Sequence, residues 1–262
     1  MLHNISRIRQ QLENKGNSLA GELLYFEEID STNDYLMGSS EFASETVALT
    51  DFQTKGRGRR GRTWNAAPGS SVMFSMVRVF LRPSLSGLSL AVGVSVANAL
   101  SEFGVKDISL KWPNDILLKE LKLGGILIEI SGSRTVIGMG LNVDLNLRDE
   151  TPDSGLLRTD LVSHLYDLDR DELASALIDN LIMTCREFDR HGFGAFMSRW
   201  SELDHFMGEN VRLESVGETI RGTVHGVDES GAILIESNGC ITPHIGGEIS
   251  LRAENQVHSQ SN

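Results

Sequence analysis

The spacing of hydrophobic residues divides the chain into three parts. Residues 1–20 are polar and predict one short helix. Short apolar runs separated by turn residues then continue to about residue 143, which predicts an α/β body. The links between its later strands are short and favour antiparallel pairing. The predicted strands are Thr46–Thr50, Ser71–Phe80, Ile108–Trp112, Ile116–Leu118, Gly125–Ile130 and Thr135–Val143, and a helix of small apolar residues is predicted over Ser86–Phe103.

The pattern becomes helical from about Asp169. Leu173, Leu177 and Leu181 recur every four residues and therefore share one face of a predicted amphipathic helix. A second helix is predicted over Phe193–Leu203.

Short strands with glycine turns begin at Asn210 and predict a small all-β module, a barrel. We therefore divide the chain into a body at 1–207, a barrel at 208–253 and a disordered polar tail at 254–262. The predicted strands of the barrel are Val211–Glu214, Thr219–Val227, Ala232–Glu236 and Gly247–Leu251.

The charge distribution is uneven. The 262-residue chain has a net charge of −12, yet five of its 24 lysines and arginines lie within Lys55–Arg62. An acidic chain is not expected to bind nucleic acid non-specifically, so one concentrated basic loop predicts a local anion site.

Cysteine usage and hydropathy exclude several classes of protein. Cys185 and Cys240 have no metal-ligand spacing, so we expect free thiols and no metal site built from protein ligands. No apolar run approaches the roughly 20 residues that cross a membrane, and Met1–Gln11 lacks the apolar core of a signal peptide. We expect a cytoplasmic protein that has no membrane partner.

The basic loop Gly56–Arg62 reads GRGRRGR. Its glycines allow the backbone to fold closely around a ligand, and its guanidinium groups match phosphate and carboxylate. A solvated basic loop or an RNA-binding tract is the alternative interpretation of this segment taken alone.

Four further segments carry residues suited to a site, and each has a purely structural alternative. Lys111–Asp115 (KWPND) ends a strand with a cation and a carboxylate, or is a hairpin turn. Lys122–Glu129 (KLGGILIE) brings a lysine onto an apolar strand through two glycines, or is a glycine bulge. Gly138–Val143 (GMGLNV) offers Asn142 to a ligand, or caps a strand. Asp30–Asp34 (DSTND) offers hydrogen-bonding side chains to a small polar ring of a ligand, or is a helix capping box.

The order and spacing of these segments resemble the biotin–protein ligases. The pattern STN, GRGRRGR, KWPND, KLxGIL, GxGxN and a C-terminal GGEISLR covers roughly residues 24–252. The resemblance implies an α+β fold with a central mixed or antiparallel sheet flanked by helices, related to class II tRNA synthetases. It also implies a small SH3-like β barrel at the C-terminus.

The resemblance assigns roles by position. The implied catalytic residues are Arg57, Arg59, Lys111, Asp115 and Lys122. The implied biotin-binding residues are Ser31, Thr32, Asn33, Gln53, Arg57, Gly58, Arg59, Trp64, Lys122 and Gly124. The implied ATP-binding residues are Arg57, Arg59, Arg60, Trp64, Lys111, Asn114, Lys122, Asn142 and Arg252.

The implied reaction activates biotin with ATP and Mg²⁺ to biotinyl-5′-AMP and then transfers biotin to a lysine of a carboxylase carrier domain. About 20 residues precede the body, too few for the DNA-binding module of some members, so we expect no operator binding. The sequence leaves the oligomeric state open, and an exposed sheet edge would permit a homodimer.

Two other functions are weighed against this one. A lipoate-type acyl ligase would share the fold and the reaction, but its Arg-x-x-Gly-Gly-Gly and His-Asp signature is absent. A non-enzymatic nucleic-acid-binding protein would use Arg57–Arg62 and would bind RNA or DNA with steep salt dependence.

Overall fold

The larger of two sheets has seven strands and forms the centre of the body. The computed structural model describes residues 3–16, 19–145, 157–165, 167–215, 218–245 and 250–253. The strands are β1 (Leu23–Phe26), β2 (Val47–Thr50), β3 (Ser71–Val79), β4 (Ile108–Lys111), β5 (Asp115–Leu118), β6 (Leu121–Ser131) and β7 (Arg134–Asn142). Their order is β1-β2-β3-β7-β6-β5-β4, and β1 pairs with β2 in parallel whereas the other pairs are antiparallel. The predicted mixed sheet is confirmed, although β1 was not predicted.

Helices cover both faces of this sheet. They are α1 (Ile5–Asn14), α2 (Thr32–Met37), α3 (Leu88–Glu102), α4 (Arg170–His191) and α5 (Met197–Leu203). Residues of α1, α3, α4 and α5 join the main hydrophobic core on one face, whereas Leu36 of α2 packs on the other face against Ala48, Val77 and Val136. None of the helices within the described ranges is long and apolar enough to cross a membrane.

The predicted helix registers are confirmed by burial. Leu173, Leu177 and Leu181 are fully buried along α4. Asp169 begins that helix, and its carboxylate accepts hydrogen bonds from the backbone N–H groups of Asp171 and Glu172. The α3 helix contains small residues, and Gly93 lets the side chain of Leu110 on β4 approach it closely.

The second sheet is antiparallel and forms the C-terminal module. Its strands are β8 (Asn210–Ser215), β9 (Glu218–Val227), β10 (Ile233–Ser237), β11 (Cys240–His244) and β12 (Ser250–Ala253), in the order β11-β10-β9-β8-β12. The predicted separate β module is confirmed, and β11 is an addition to it. The predicted strand Gly247–Leu251 lies mostly outside the described residues, as does the tail at 254–262. The boundary at 207/208 stays a prediction.

One turn of the module contacts the body directly. The Asp228 carboxylate accepts from the backbone N–H groups of Ser230 and Ala232 and so fixes the turn. The indole N–H of Trp112, which is buried, donates to the carbonyl of Gly231 at 2.9 Å. A methyl group at Gly231 would lie 2.7 Å from Cα of Gly87, just before α3. Close backbone contact therefore docks the module on the body.

This contact predicts that Gly231→Ala destabilises the protein more than Gly239→Ala. Both glycines have a positive φ, +75° and +79°, so both variants carry a similar backbone cost of about 1 kcal/mol. No heavy atom lies within 4 Å of a methyl group at Gly239, whereas the same group at Gly231 meets backbone. We expect an additional loss of about 1–3 kcal/mol in the free energy of unfolding, measured by urea denaturation. Equal losses would show that the turn does not dock tightly.

Candidate active site

A cavity that is open to solvent lies over the centre of the large sheet beside α2 and the basic loop. The structure brings together at this cavity most of the residues that the sequence singled out. The predicted site residues that line it are Ser31, Thr32, Asn33, Gln53, Arg57, Gly58, Trp64, Asn114 and Lys122.

The floor of the cavity is polar because a helix begins there. Ser31 is the N-cap of α2 and its hydroxyl accepts from the Asp34 N–H at 3.3 Å, so the capping interpretation of this segment is confirmed. The same geometry places Thr32 and Asn33 in the first turn, where both side chains are buried and still line the cavity. Capping and ligand binding are therefore compatible here.

A directional hydrogen-bond relay runs along this floor. The Thr32 backbone N–H donates to Oε1 of Gln53 at 2.9 Å, and the hydroxyls of Thr32 and Ser75 lie 2.7 Å apart. Ser75 Oγ donates to Oδ1 of Asn33 at 2.5 Å, and Asn33 Nδ2 donates to Oε2 of Glu129 at 2.8 Å. Because the Thr32 N–H can only donate and the Glu129 carboxylate can only accept, these two partners fix the orientation of the Gln53 and Asn33 amides.

Ser75 and Glu129 were not predicted to belong to the site. Ser75 belongs to β3 and lines the cavity. Glu129 belongs to β6 and contacts Asn33, which lines the cavity. The signal for Ser75 was its polar side chain within a buried strand. Its use depends on the packing of α2 against β3, which the sequence pattern does not fix.

Glycines form the part of the floor that faces Trp64. Gly125 on β6 and Gly140 on β7 are register partners, and a methyl group at Gly140 would lie 2.6 Å from Cε2 and Cζ2 of the indole. A methyl group at Gly138 would lie 2.1 Å from Oδ1 of Asn33. The indole and the amide therefore rest directly on strand backbone.

Gly124 lies on the other side of β6 from the cavity. The side-chain direction at Gly124 points toward Leu141 and Ile116, which are core residues, whereas Gly125 lines the cavity. The structure thus places Gly125 where the resemblance had assigned Gly124.

A β-bulge aims Lys122 at the site. The register between β5 and β6 shifts at Ile116 and Leu117, so β6 contains one additional residue. Lys122 and Gly125 consequently face the same side of the sheet. The ammonium of Lys122 lies 2.6 Å from Oδ1 of Asp115, and both side chains are largely buried. Asp115 is thereby held at the cavity through Lys122.

The basic loop closes one side of the cavity, and two of its arginines bond to residues of the body. Arg57 forms ion pairs with Asp34 and Glu129 at 2.6 and 2.5 Å. Arg59 donates to Oδ1 of Asn114 at 3.0 Å, and Asn114 Nδ2 donates in turn to the carbonyl of Ile126.

Burial lowers the pKa of Arg59, and the neighbouring charge of Arg60 lowers it further. Arg60 itself is exposed, with a φ of 62°, in the short turn Arg59–Gly61. The loop therefore presents one partly buried cation at Asn114 and one exposed cation at its tip.

Three other predicted residues lie outside the cavity. Lys111 ends β4 near His205, whose pKa is lowered by burial and, to a smaller extent, by the charge of Lys111. Asn142 is fully buried at the end of β7, where Nδ2 donates to the carbonyl of Thr159 at 3.1 Å. For Arg252 only the backbone is described, in register with Arg212 on β8.

Two buried polar atoms near the cavity have no hydrogen-bond partner among the described residues. They are Nε1 of Trp64, a donor, and Oδ1 of Asn142, an acceptor. Gly140 and Asn142 lie on the same face of β7 because side chains alternate along a strand. A ligand bound over the indole could satisfy such atoms. Among the described residues, no group of three or more His, Cys, Asp or Glu side chains could hold a metal ion alone.

Comparisons with known proteins agree with this geometry. The model of the Biotin/lipoate A/B protein ligase family matches residues 25–146, and that of the Biotin protein ligase C terminal domain matches residues 206–252. The chain is 36% identical to the Bifunctional ligase/repressor BirA of Escherichia coli K12, over 96% of this chain and 79% of that protein. It is 30% identical to the Biotin--[acetyl-CoA-carboxylase] ligase of Mycobacterium tuberculosis, over 80% and 81% of the two chains.

A solved structure shows the same fold. The biotin protein ligase of Aquifex aeolicus in complex with biotin and ATP superposes with a TM-score of 0.80 at 31% identity, covering 88% of this chain and 99% of that one. The class defined by fold and site is thus that of the biotin and lipoate ligases. Within it, the chain belongs to the biotin protein ligase family.

The glycine floor predicts that Gly140→Ala displaces the Trp64 indole toward solvent. Trp112 and Trp200 are buried elsewhere in the protein, so a red shift of the tryptophan emission would report on Trp64. Gly194→Ala is the control, because a methyl group there has no heavy atom within 4 Å. Emission spectra that coincide for the two variants would contradict the close contact.

Proposed function

We propose that this chain is a biotin–protein ligase that converts biotin and ATP into biotinyl-5′-AMP and pyrophosphate and then transfers biotin to a lysine of a carrier domain. The observation that carries this proposal is the layout of the cavity. Uncharged side chains of the relay line the floor, Lys122 brings positive charge from β6, and Arg57 brings it from the basic loop beside the relay. This layout suits an uncharged ring joined to a carboxylate.

The relay suits the ureido ring of biotin. That ring presents one carbonyl acceptor and two N–H donors. The hydroxyl of Ser31 accepts from the Asp34 N–H, which leaves its own proton for a ligand carbonyl. Thr32, Asn33 and Gln53 are held in fixed orientations by the relay, so a bound ring meets preorganised partners.

The cations of the site suit the activation step. A carboxylate oxygen of biotin attacks the α-phosphorus of ATP, the bond to the bridging oxygen breaks, and pyrophosphate leaves. Negative charge spreads over the phosphoryl oxygens in this step. Lys122, Arg57 and Arg59 are the cations at or beside the cavity that stabilise it.

Trp64 and Asn142 suit the nucleotide. The indole offers a flat apolar surface and the unpartnered Nε1 donor, and Asn142 offers the unpartnered Oδ1 acceptor. The assignments of Arg60, Lys111 and Arg252 to ATP rest on the resemblance alone.

The residues present also fit Mg²⁺ that is carried largely by nucleotide phosphates. Magnesium in such sites takes one or two protein oxygens in addition to phosphate oxygens. Oδ1 of Asn142 is a buried oxygen that has no partner among the described residues. When bound, the ion would neutralise phosphate charge. Asn142 is the residue that would hold it.

The acceptor lysine has an approach from a groove between the body and the C-terminal module. Arg59 lines this groove and its partner Asn114 lines the cavity, so their hydrogen bond forms part of the partition between the two spaces, together with Ile126, which lines both. A carrier domain bound at the groove could present its lysine at this partition. A homodimer, the absence of operator binding and a cytoplasmic location stay predictions.

The proposed reaction is tested by pyrophosphate release from ATP and Mg²⁺ with biotin, with lipoate and with neither acid. We expect release only with biotin, together with a mass gain on a lysine of an added biotin carrier domain. Release with lipoate alone would replace biotin by lipoate as the substrate. No release with either acid would overturn the proposal.

Asp115→Asn is predicted to spare adenylate formation and to slow transfer roughly a hundredfold, the usual effect of removing a general base. A free lysine has a pKa of about 10.4, so it must lose a proton before it attacks. Asp115 is the carboxylate nearest to Lys122 at the cavity and is proposed to orient the amine or accept its proton. Single-turnover transfer from preformed biotinyl-5′-AMP measures this step.

Hydroxylamine provides the matched control for this variant, since it is already unprotonated at neutral pH. Asp115→Asn should transfer biotin to hydroxylamine at the rate of the unmodified enzyme. Equal losses in pyrophosphate release and in both transfers would instead assign Asp115 to ATP or to the support of Lys122.

A further inference from the structure

Two acidic side chains outside the assigned site hold the basic loop. Nη2 of Arg57 lies 2.6 Å from Oδ1 of Asp34 and 2.5 Å from Oε2 of Glu129. Asp34 belongs to α2 and Glu129 to β6, so a single guanidinium ties the loop to two separate elements.

The ion pairs orient Arg57 and do not withdraw it from the cavity. A guanidinium has five N–H donors in a planar fork, and both carboxylates contact the same nitrogen. Nη1 and Nε lie outside these two ion pairs. Arg57 lines the cavity in this arrangement, so its remaining donors can reach a carboxylate or phosphate while the acids hold it.

Glu129 also connects the loop to the cavity floor. Its Oε2 accepts from Asn33 Nδ2 at 2.8 Å as well as from Arg57. Asn33 in turn accepts from Ser75 at the end of the relay. One carboxylate oxygen is therefore shared between the floor that would bind the ring and the loop that covers it.

We infer that Asp34 and Glu129 are positioning residues that hold the basic loop closed over the acyl-adenylate and slow its escape from the site. This inference rests on the proposed function, because the retained species is the intermediate of that reaction. The opposite arrangement, in which the acids compete with the ligand for Arg57, predicts tighter binding when they are removed.

The expected effects are moderate because these side chains are partly exposed. The exposed fractions are 39% for Arg57, 54% for Asp34 and 27% for Glu129. Ion pairs of this kind are weak, and losing one corresponds to about a two- to fivefold change in an equilibrium or rate. Losing both should change the escape rate by about tenfold.

The test measures how fast synthetic biotinyl-5′-AMP leaves preloaded protein. We expect Asp34→Asn and Glu129→Gln each to release it about two- to fivefold faster, and the double variant about tenfold faster. Added salt should accelerate release from the unmodified protein and have less effect on the double variant, because the screened pairs are gone. If the substitutions acted only by destabilising the fold, the double variant would keep the salt dependence of release seen in the unmodified protein.

Asp30→Asn is the matched control. Asp30 pairs at 2.8 Å with Lys55, which directly precedes the basic loop, and both are exposed away from the cavity. This variant removes one negative charge beside the loop, as each single variant does, without touching Arg57, so release should stay within twofold of the unmodified protein. If the double variant releases no faster than Asp30→Asn, or binds the adenylate more tightly, the inference is overturned.

Hydrogen exchange separates this inference from the proposed function. The backbone N–H groups of Gly58 and Trp64 donate within the loop to Arg62 and Gly56, so their exchange reports loop opening in the free protein. Faster exchange in the double variant than in Asp30→Asn supports the loop-holding role even if no pyrophosphate is released. Unchanged exchange and unchanged release together refute it.

Discussion

The direct contact of Trp64 with bare strand backbone is the constraint on which the site depends. Gly125 and Gly140 are neighbours on adjacent strands, and a side chain at Gly140 would occupy the space of the indole. Gly138 lies two residues before Gly140 on the same face of β7, and its missing side chain leaves space for Asn33 in the same way. Side chains of the loop and of the first turn of α2 therefore pack directly on the backbone of the sheet. The cavity is the space that remains between them.

This arrangement makes the two faces of the sheet unequal. One face is covered by long helices whose apolar side chains form the main core. Among the described residues, the other face carries the short α2 and the basic loop, with a small apolar cluster around Leu36. Burial of apolar area stabilises the fold mainly on the first face. The second face is consequently able to carry polar groups that serve a ligand.

The charges of the site are balanced locally, which reconciles a basic loop with an acidic chain. Lys55 pairs with Asp30, Arg57 with Asp34 and Glu129, and Lys122 with Asp115. These pairs reduce the repulsion among the clustered cations. Because several of the acids are partly exposed, their hold on the cations is moderate. An anionic ligand can therefore add to the arrangement without a large rearrangement of charge.

Much of the body could be predicted from its sequence, and the exceptions have physical causes. Periodicity located α4 and most strands, because their buried faces are long. The edge strands β1 and β11 are short, and β11 contains Pro243, which an edge strand tolerates.

Side-chain contacts between segments that are distant in the sequence were harder to predict. Ser75 and Glu129 join the site through the packing of α2 on β3 and the ion pair with the loop, which no local pattern encodes. The assignment of Gly124 to the cavity was wrong by one residue, and Gly125 lies there instead. Neighbouring residues of a strand face opposite sides of the sheet, and the bulge in β6 changes which residues face the cavity.

The segment KWPND shows how one motif can serve several contacts at once. Trp112 donates to Gly231 of the C-terminal module, Asn114 accepts from Arg59 of the basic loop, and Asp115 pairs with Lys122. These contacts arise within four residues, at the turn between β4 and β5. A displacement of the module would move Trp112 and hence the turn that carries Asn114 and Asp115. The position of the module is thus mechanically connected to the basic loop and to the Asp115–Lys122 ion pair through a few consecutive residues.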